Sequence, residues 1–90
     1  MVSLQGNTAT FRFLRPHARS VHLVGEFNGW QKSEANRLSK LENGLWSAHF
    51  SIDKGKYRYK YLVDDSWIND PHNPQVETNE FGTVDSVLHV

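Results

Sequence analysis

Cysteine is absent from the 90 residues of this chain, and methionine occurs once. Without cysteine there is no disulfide framework, no thiolate nucleophile and no sulfur-based zinc site, and the redox compartment stays open. An excess of either charge is missing too, since ten basic side chains balance ten acidic ones. No broad positive field is available to hold nucleic acid or an anionic membrane, and neither is expected as a partner. There is no run of about 18 apolar residues that could span a bilayer, and the start, MVSLQGNTATFRF, lacks the basic and apolar regions of a signal peptide. A soluble, unexported, cytoplasmic protein is the expectation.

Signs of catalysis are equally scarce. His17, His22, His49, His72 and His89 are scattered without the close spacing of metal ligands and read as surface residues, so no metal or cofactor is expected. No Gly-x-Ser-x-Gly elbow or phosphate-cradling glycine loop is present. Asp64 and Asp65 are adjacent carboxylates, but neighbours on a strand or tight turn point apart, whereas glycoside hydrolysis needs two carboxyls about 5 to 10 Å apart. The preference of Asp for turns accounts for them. With no assembled acid, base or nucleophile, the expectation is that the protein is not an enzyme.

What the chain does have is alternation. From Lys56 to Val63, Tyr57, Tyr59, Tyr61 and Val63 fall on one face and Lys56, Arg58, Lys60 and Leu62 on the other, the period of a half-buried strand. The aromatic face packs and the basic face looks outward. Asp64-Asp65-Ser66 then supplies a turn, and Trp67 opens a return strand that stops before Asp70-Pro71, which makes a hairpin. Asp70-Pro71 and Asn73-Pro74 read as structural turns that stiffen the exit.

The same period predicts strands over Thr8–Leu14, ended by Pro16, and over Ser20–Phe27, where Val21, Leu23 and Gly25 oppose His22, Val24 and Glu26. Asn28-Gly29-Trp30 and the following QKSEANR form an exposed loop. A short strand at Arg37–Leu41 leads through Asn43-Gly44, a strong two-residue hairpin signal, into a strand at Leu45–Ile52 that buries Trp46. After Pro74 a polar stretch, QVETNEFGTVD, precedes a last strand at Ser86–Val90. Six or more short strands without an amphipathic helix predict an antiparallel β-sandwich of one domain over residues 1–90.

Trp30 and Trp67 differ from Trp46 in sitting in or beside turns. Either they cover an end of the sandwich, or they are platforms for the apolar faces of sugar rings, with polar neighbours such as Lys60 and Asp85 bonding the hydroxyls. Platforms that stack nucleobases would call for net positive charge along the groove, which the neutral balance does not supply.

The segments VHLVGEFNGW, GLWSAHF, GKYRYKYLVDDSWINDPHNP and EFGTVDSVLHV, in this order and over nearly the whole chain, resemble carbohydrate-binding module family 48, which includes the glycogen-binding module of the AMP-activated protein kinase β subunit. The resemblance implies an immunoglobulin-like sandwich that binds α-1,4-linked glucans such as glycogen, starch fragments, maltooligosaccharides or cyclodextrin. It also implies roles for individual residues. Trp30 and Trp67 match sugar-stacking tryptophans and Lys60 a lysine that bonds glucose hydroxyls. Phe81 stands in place of an apolar residue, often Leu, that pushes against the curved glucan, and Thr83 matches a polar contact after it.

Two positions depart from the family pattern. Asp85 stands where the kinase-type modules carry Asn and, when ionised, only accepts hydrogen bonds. Asp65 replaces a Gly at a position expected to need positive φ, which Asp tolerates better than most residues. Beside the glucan-binding reading stands a second, a module that packs against a glycoside hydrolase catalytic domain or a kinase subunit without binding sugar. Retention of Trp30, Trp67 and Lys60 together favours the first, because a packing module has no physical need of that set.

Overall fold

The alternating stretches fold as antiparallel strands. The computed structural model describes residues 2–90, with Met1 outside them. In chain order the strands are β1 (Val2–Gln5), β2 (Thr8–Leu14), β3 (Val21–Gly25), β4 (Ser39–Lys40), β5 (Leu45–Ser51), β6 (Lys56–Val63), β7 (Ser66–Ile68), β8 (Val76–Thr78) and β9 (Val84–His89). One sheet runs β1-β2-β5-β4 and the other β3-β6-β9-β8, with β7 added to β6. Leaving aside β7 and β8, this is the strand order of an immunoglobulin-type sandwich.

The core forms where the two inner faces meet. Phe11 and Phe13 of β2 and Trp46 of β5 meet Leu23 of β3 and Tyr59 and Tyr61 of β6, all buried. Phe13 stacks on Tyr61 with ring centroids 4.5 Å apart, and Phe11 meets Tyr59 edge-on at 5.5 Å. Such pairs add about 0.5 to 1.5 kcal/mol each beyond area burial. The polar tips find partners: Trp46 Nε1 donates to the Arg15 carbonyl at 2.9 Å, and Tyr59 Oη donates to Asp70 Oδ2 at 2.8 Å. Asn73 Nδ2 donates to Tyr59 Oη and to the Val87 carbonyl, while the Asp70 amide donates to Ser86 Oγ. The two X-Pro turns are thus bolted to the core, and burial pushes the Tyr59 hydroxyl far above its ordinary pKa.

The β6–β7 turn has two residues, Asp64 and Asp65, with φ of 48° and 67°, between the paired Val63 and Ser66. Positive φ at both central positions is the type I′ arrangement whose twist suits a hairpin. Asp64 also accepts the backbone amides of Arg19 and Ser20 at 2.9 Å each.

Several expectations need correction. Asn43 and Gly44 do adopt positive φ, 62° and 75°, but the loop between β4 and β5 holds three residues in a 3₁₀ turn, Glu42–Gly44, because Leu41 N bonds the Leu45 carbonyl. Strands β1 and β8 lie in stretches to which no strand was assigned, and β9 begins at Val84, two residues early. His22 is buried rather than on the surface, as are Val24 and Leu62, all assigned to the outward face. The cause is cover. Arg37 makes an isolated bridge to His22, and Leu38 N bonds the Val21 carbonyl at 2.8 Å, so the loop after β3 folds back along it. On this outer face His22, Leu62 and Trp67 stand in one cross-strand row.

Burial holds the His22 imidazole below its ordinary pKa of 6.5, assisted by Lys32 and Arg37 and opposed by Glu34 and Asp65. Below about pH 6.5 the unfolded chain therefore takes up a proton that the folded chain resists, so the stability difference shrinks as pH falls until the folded pKa is passed. Thermal melts should show Tm falling from about pH 7.5 to about pH 5, with a smaller fall in His22→Gln; equal slopes would remove His22 from the account. A second test concerns Gly44, where an added Cβ would lie 2.4 Å from Pro16 Cα at positive φ. Gly44→Ala should cost about 1 to 3 kcal/mol and lower Tm by about 5 to 15 °C, as read by calorimetry.

Candidate carbohydrate site

Outward from the core, β6 presents Arg58 and Lys60 on the face opposite Tyr59 and Tyr61, and the site is assembled on that face. Lys60 pairs with Val24 across β3. On its other side stands Asp85 of β9, one step beyond the Tyr59–Ser86 pair, and Asp85 pairs with Glu77 of β8. Lys60 Nζ lies 3.5 Å from Asp85 Oδ1 and 3.4 Å from Thr83 Oγ1.

Two loops raise tryptophans above this polar floor. In the first, Asn28 ties the chain down by accepting the Gly25 amide at 3.1 Å and donating to the Leu23 carbonyl at 3.1 Å. The next two residues, Gly29 and Trp30, both take positive φ, 66° and 60°. That region is unusual for a bulky side chain, and the Trp30 amide is fixed by the Gly25 carbonyl at 2.9 Å. Phe27 packs inward against Phe11 and Tyr57, so in Phe27-Asn28-Gly29-Trp30 only the last side chain is left for the surface. The second loop is the β6–β7 hairpin, which carries Trp67.

Trp30 is 36% exposed and Trp67 53%. Their rings meet edge to face, 6.4 Å between centroids and inclined at 61°, forming an angled apolar surface instead of a cap on the sandwich. Lys32 Nζ donates to Asp65 Oδ1 at 2.7 Å and links the two loops, and this contact holds the Asp65 carboxyl below its ordinary pKa. Asp65 thus occupies its positive-φ position and also carries a cross-loop contact.

At the other end, the turn from Asn79 to Thr83 lifts Phe81 into solvent, where it is 83% exposed. A cleft of about 620 Å³ lies among these parts, and Trp30, Lys60, Trp67, Phe81, Thr83 and Asp85 all line it. Arg58, Asn79 and Glu80, which were not singled out in the sequence, line it too. Arg58 could have been found from its place two residues before Lys60 on the same face; Asn79 has no such signal. The Arg58 guanidinium is held by Glu26 Oε2 at 3.3 Å while Glu26 Oε1 accepts the Arg58 amide at 2.7 Å. The backbone contact, with the guanidinium behind it, keeps the Glu26 carboxyl below its ordinary range.

Asp85 lines the cleft from within the sheet, because β9 starts at Val84. It is 4% exposed, and its Oδ1 is taken up by Lys60 and by Asn79 Nδ2 at 3.1 Å, in the wall beneath Lys60. Chemically the cleft offers two inclined indole faces, one projecting phenyl ring, and an ammonium and a hydroxyl in fixed positions. Such a surface suits a neutral ligand with apolar faces and a polar perimeter.

Comparison with known proteins agrees with this chemistry. The family described as the glycogen recognition site of AMP-activated protein kinase matches residues 7–90. The 5′-AMP-activated protein kinase subunit beta-1 of Sus scrofa is 33% identical over 88 residues, 98% of this chain and 67% of that sequence. Subunit beta-1 of Bos taurus and subunit beta-2 of Mus musculus are each 35% identical over 72 residues, 80% of this chain. The chain spans about two thirds of the porcine sequence and about a quarter of the bovine and murine ones. With the match running through the strands and loops that build the cleft, the chain belongs to the family of glycogen recognition sites of AMP-activated protein kinase.

Proposed function

We propose that this domain binds α-1,4-linked glucans, such as glycogen, starch fragments, maltooligosaccharides and cyclodextrin, without acting on them. The observation that carries the reading is the 61° inclination between the exposed rings of Trp30 and Trp67. Successive sugars stacked on two inclined faces must themselves be turned relative to one another, as in a helically wound α-glucan and unlike an extended β-glucan. Stacking supplies most of the free energy, and Lys60 and Thr83 orient the hydroxyls. Asp85 contributes by holding the Lys60 ammonium, and Phe81 fills the concave side of the curved chain.

A noncatalytic role is supported by where the carboxylates go. Asp64 is spent on the amides of Arg19 and Ser20, Asp65 on Lys32, and Asp85 on Lys60 and Asn79. A kinase-subunit or catalytic-domain partner is part of the same proposal, supported by the kinase-subunit relatives. A cytoplasmic location rests on that kinship as well. No helix of the described residues is long and apolar enough to cross a membrane.

The open cleft leaves much of a bound sugar in water, so affinity should be micromolar or weaker. In a tryptophan fluorescence titration, maltoheptaose should give a saturable change and cellohexaose none. Trp67→Ala, which removes one platform from a folded protein, should weaken binding by about tenfold or more. Equal responses to the two sugars, or unaltered affinity in the variant, would reject the reading.

A further inference from the structure

Phe81 is the most exposed large hydrophobic side chain among the described residues, and an isolated ring of that kind gains by folding back onto apolar surface. Polar contacts beneath it hold the turn open, and most come from one side chain. Asn79 Oδ1 accepts the amides of Phe81 at 3.0 Å and Thr83 at 3.2 Å. Asn79 Nδ2 donates to Thr83 Oγ1 at 2.7 Å and to Asp85 Oδ1 at 3.1 Å. The backbone of the same residue closes the turn, its amide donating to the Thr83 carbonyl at 2.8 Å and its carbonyl accepting Gly82 N at 3.2 Å.

The two atoms that receive the Asn79 amide protons are the two that hold Lys60 Nζ, namely Thr83 Oγ1 and Asp85 Oδ1. One carboxamide therefore joins the apolar knob to the polar floor. The chemistry of the position is restrictive, because carboxamides are the side chains that present an acceptor oxygen and two N–H donors on one planar group. Aspartate would keep the oxygen that receives the two backbone amides but would set a second carboxylate against Asp85.

We infer that Asn79 is a positioning residue that sets the preference of the cleft for curved glucan, by locking Phe81 outward and Lys60 inward at a fixed separation. Its carboxamide acts through Phe81, Thr83 and Asp85, to which it is bonded. The inference rests on the α-glucan reading and adds to it the element that makes curvature matter. Removing the carboxamide frees the knob, which penalises a ligand that wraps around Phe81 and spares one short enough to sit on Trp30 and Trp67 alone.

The test compares wild type, Asn79→Ala, Asn79→Asp and Trp67→Ala by fluorescence titration with β-cyclodextrin and with maltotriose. Cooperative thermal melts confirm that each variant is folded. Asn79→Ala should lose about tenfold in affinity for β-cyclodextrin and less than about threefold for maltotriose. Asn79→Asp should lose as much for β-cyclodextrin at about pH 7.5 and recover several-fold at about pH 5, where one of the two facing carboxyls takes a proton and donates it across the gap. Around that carboxyl stand Lys60 and Arg58 from β6, Asp85 from β9, and Glu77 and Glu80 on its own side, and all but the new group are shared with wild type, which should not show the recovery. If Asn79→Ala does not fold, the two pH values of Asn79→Asp carry the test, since its oxygens still receive the Phe81 and Thr83 amides. Equal losses for the two sugars, or an Asn79→Asp affinity that stays low at both pH values, would reduce Asn79 to a general structural role and overturn the inference. So would Asn79 variants that bind like wild type while Trp67→Ala does not, an outcome that leaves the α-glucan reading in place. A folded wild type with no response to either sugar would overturn that reading itself.

Discussion

Strand β6 is buried on one face and used on the other, and the rest of the molecule depends on that division. Tyr59 and Tyr61 anchor the core against Phe11 and Phe13, while Arg58 and Lys60, offset by one residue, emerge on the opposite side. Because side chains along a strand alternate, any packing force that fixes the tyrosines also fixes the cations. The strand is paired along both edges, to β3 on one and to β9 and β7 on the other. Each neighbour brings one component to the same outer face: β3 leads into the Trp30 loop, β7 carries Trp67, and β9 follows the Phe81 turn and carries Asp85. Strand order thus sets which loop and which turn stand over the outer face of β6.

Charge within the cleft is managed locally. Lys60 is held by Asp85, Arg58 by Glu26, and Lys32 by Asp65, so each cation near the tryptophans has an acidic partner within 3.5 Å. The exposed pair is worth little as stability, roughly 0 to 1 kcal/mol, but it constrains the separation of two loops that must present their rings together. The buried pair has a different consequence. With Asp85 enclosed, its Oδ1 is shared between the Lys60 ammonium and the Asn79 carboxamide, which fixes the ammonium at the floor of the cleft.

Legibility in the sequence followed the strength of local signals. The alternation of Thr8–Leu14 and Lys56–Val63 was sufficient for β2 and β6 with their end residues, and two adjacent Asp residues between a Val-ended run and a Ser-Trp pair marked the type I′ turn. Strands β1 and β8 were not legible because they lie at sheet edges, where pairing with a neighbour, and not an apolar face of their own, makes them strands. His22 was misjudged, and the burial of Asp85 was not legible, for one reason: each is covered by residues distant in sequence. Arg37 and Leu38 fold back along β3 over His22, and Asn79 and Lys60 close around Asp85. For Trp30 and Trp67 the sequence posed the choice between cap and platform, and only the tertiary contacts put the two rings side by side in solvent.

The chain contains three tryptophans, and the structure divides them sharply. Trp46 is buried, with its indole N–H bonded to the Arg15 carbonyl, whereas Trp30 and Trp67 face each other in the cleft. The indole region of a ¹H–¹⁵N correlation spectrum recorded during addition of maltoheptaose therefore tests the central claim with an internal control. Two indole signals should move together along one saturation curve, and the third, from Trp46, should stay in place. Movement of the Trp46 signal with the other two still, or three unchanged signals at saturating sugar, would contradict a glucan site built on the outer face of β6.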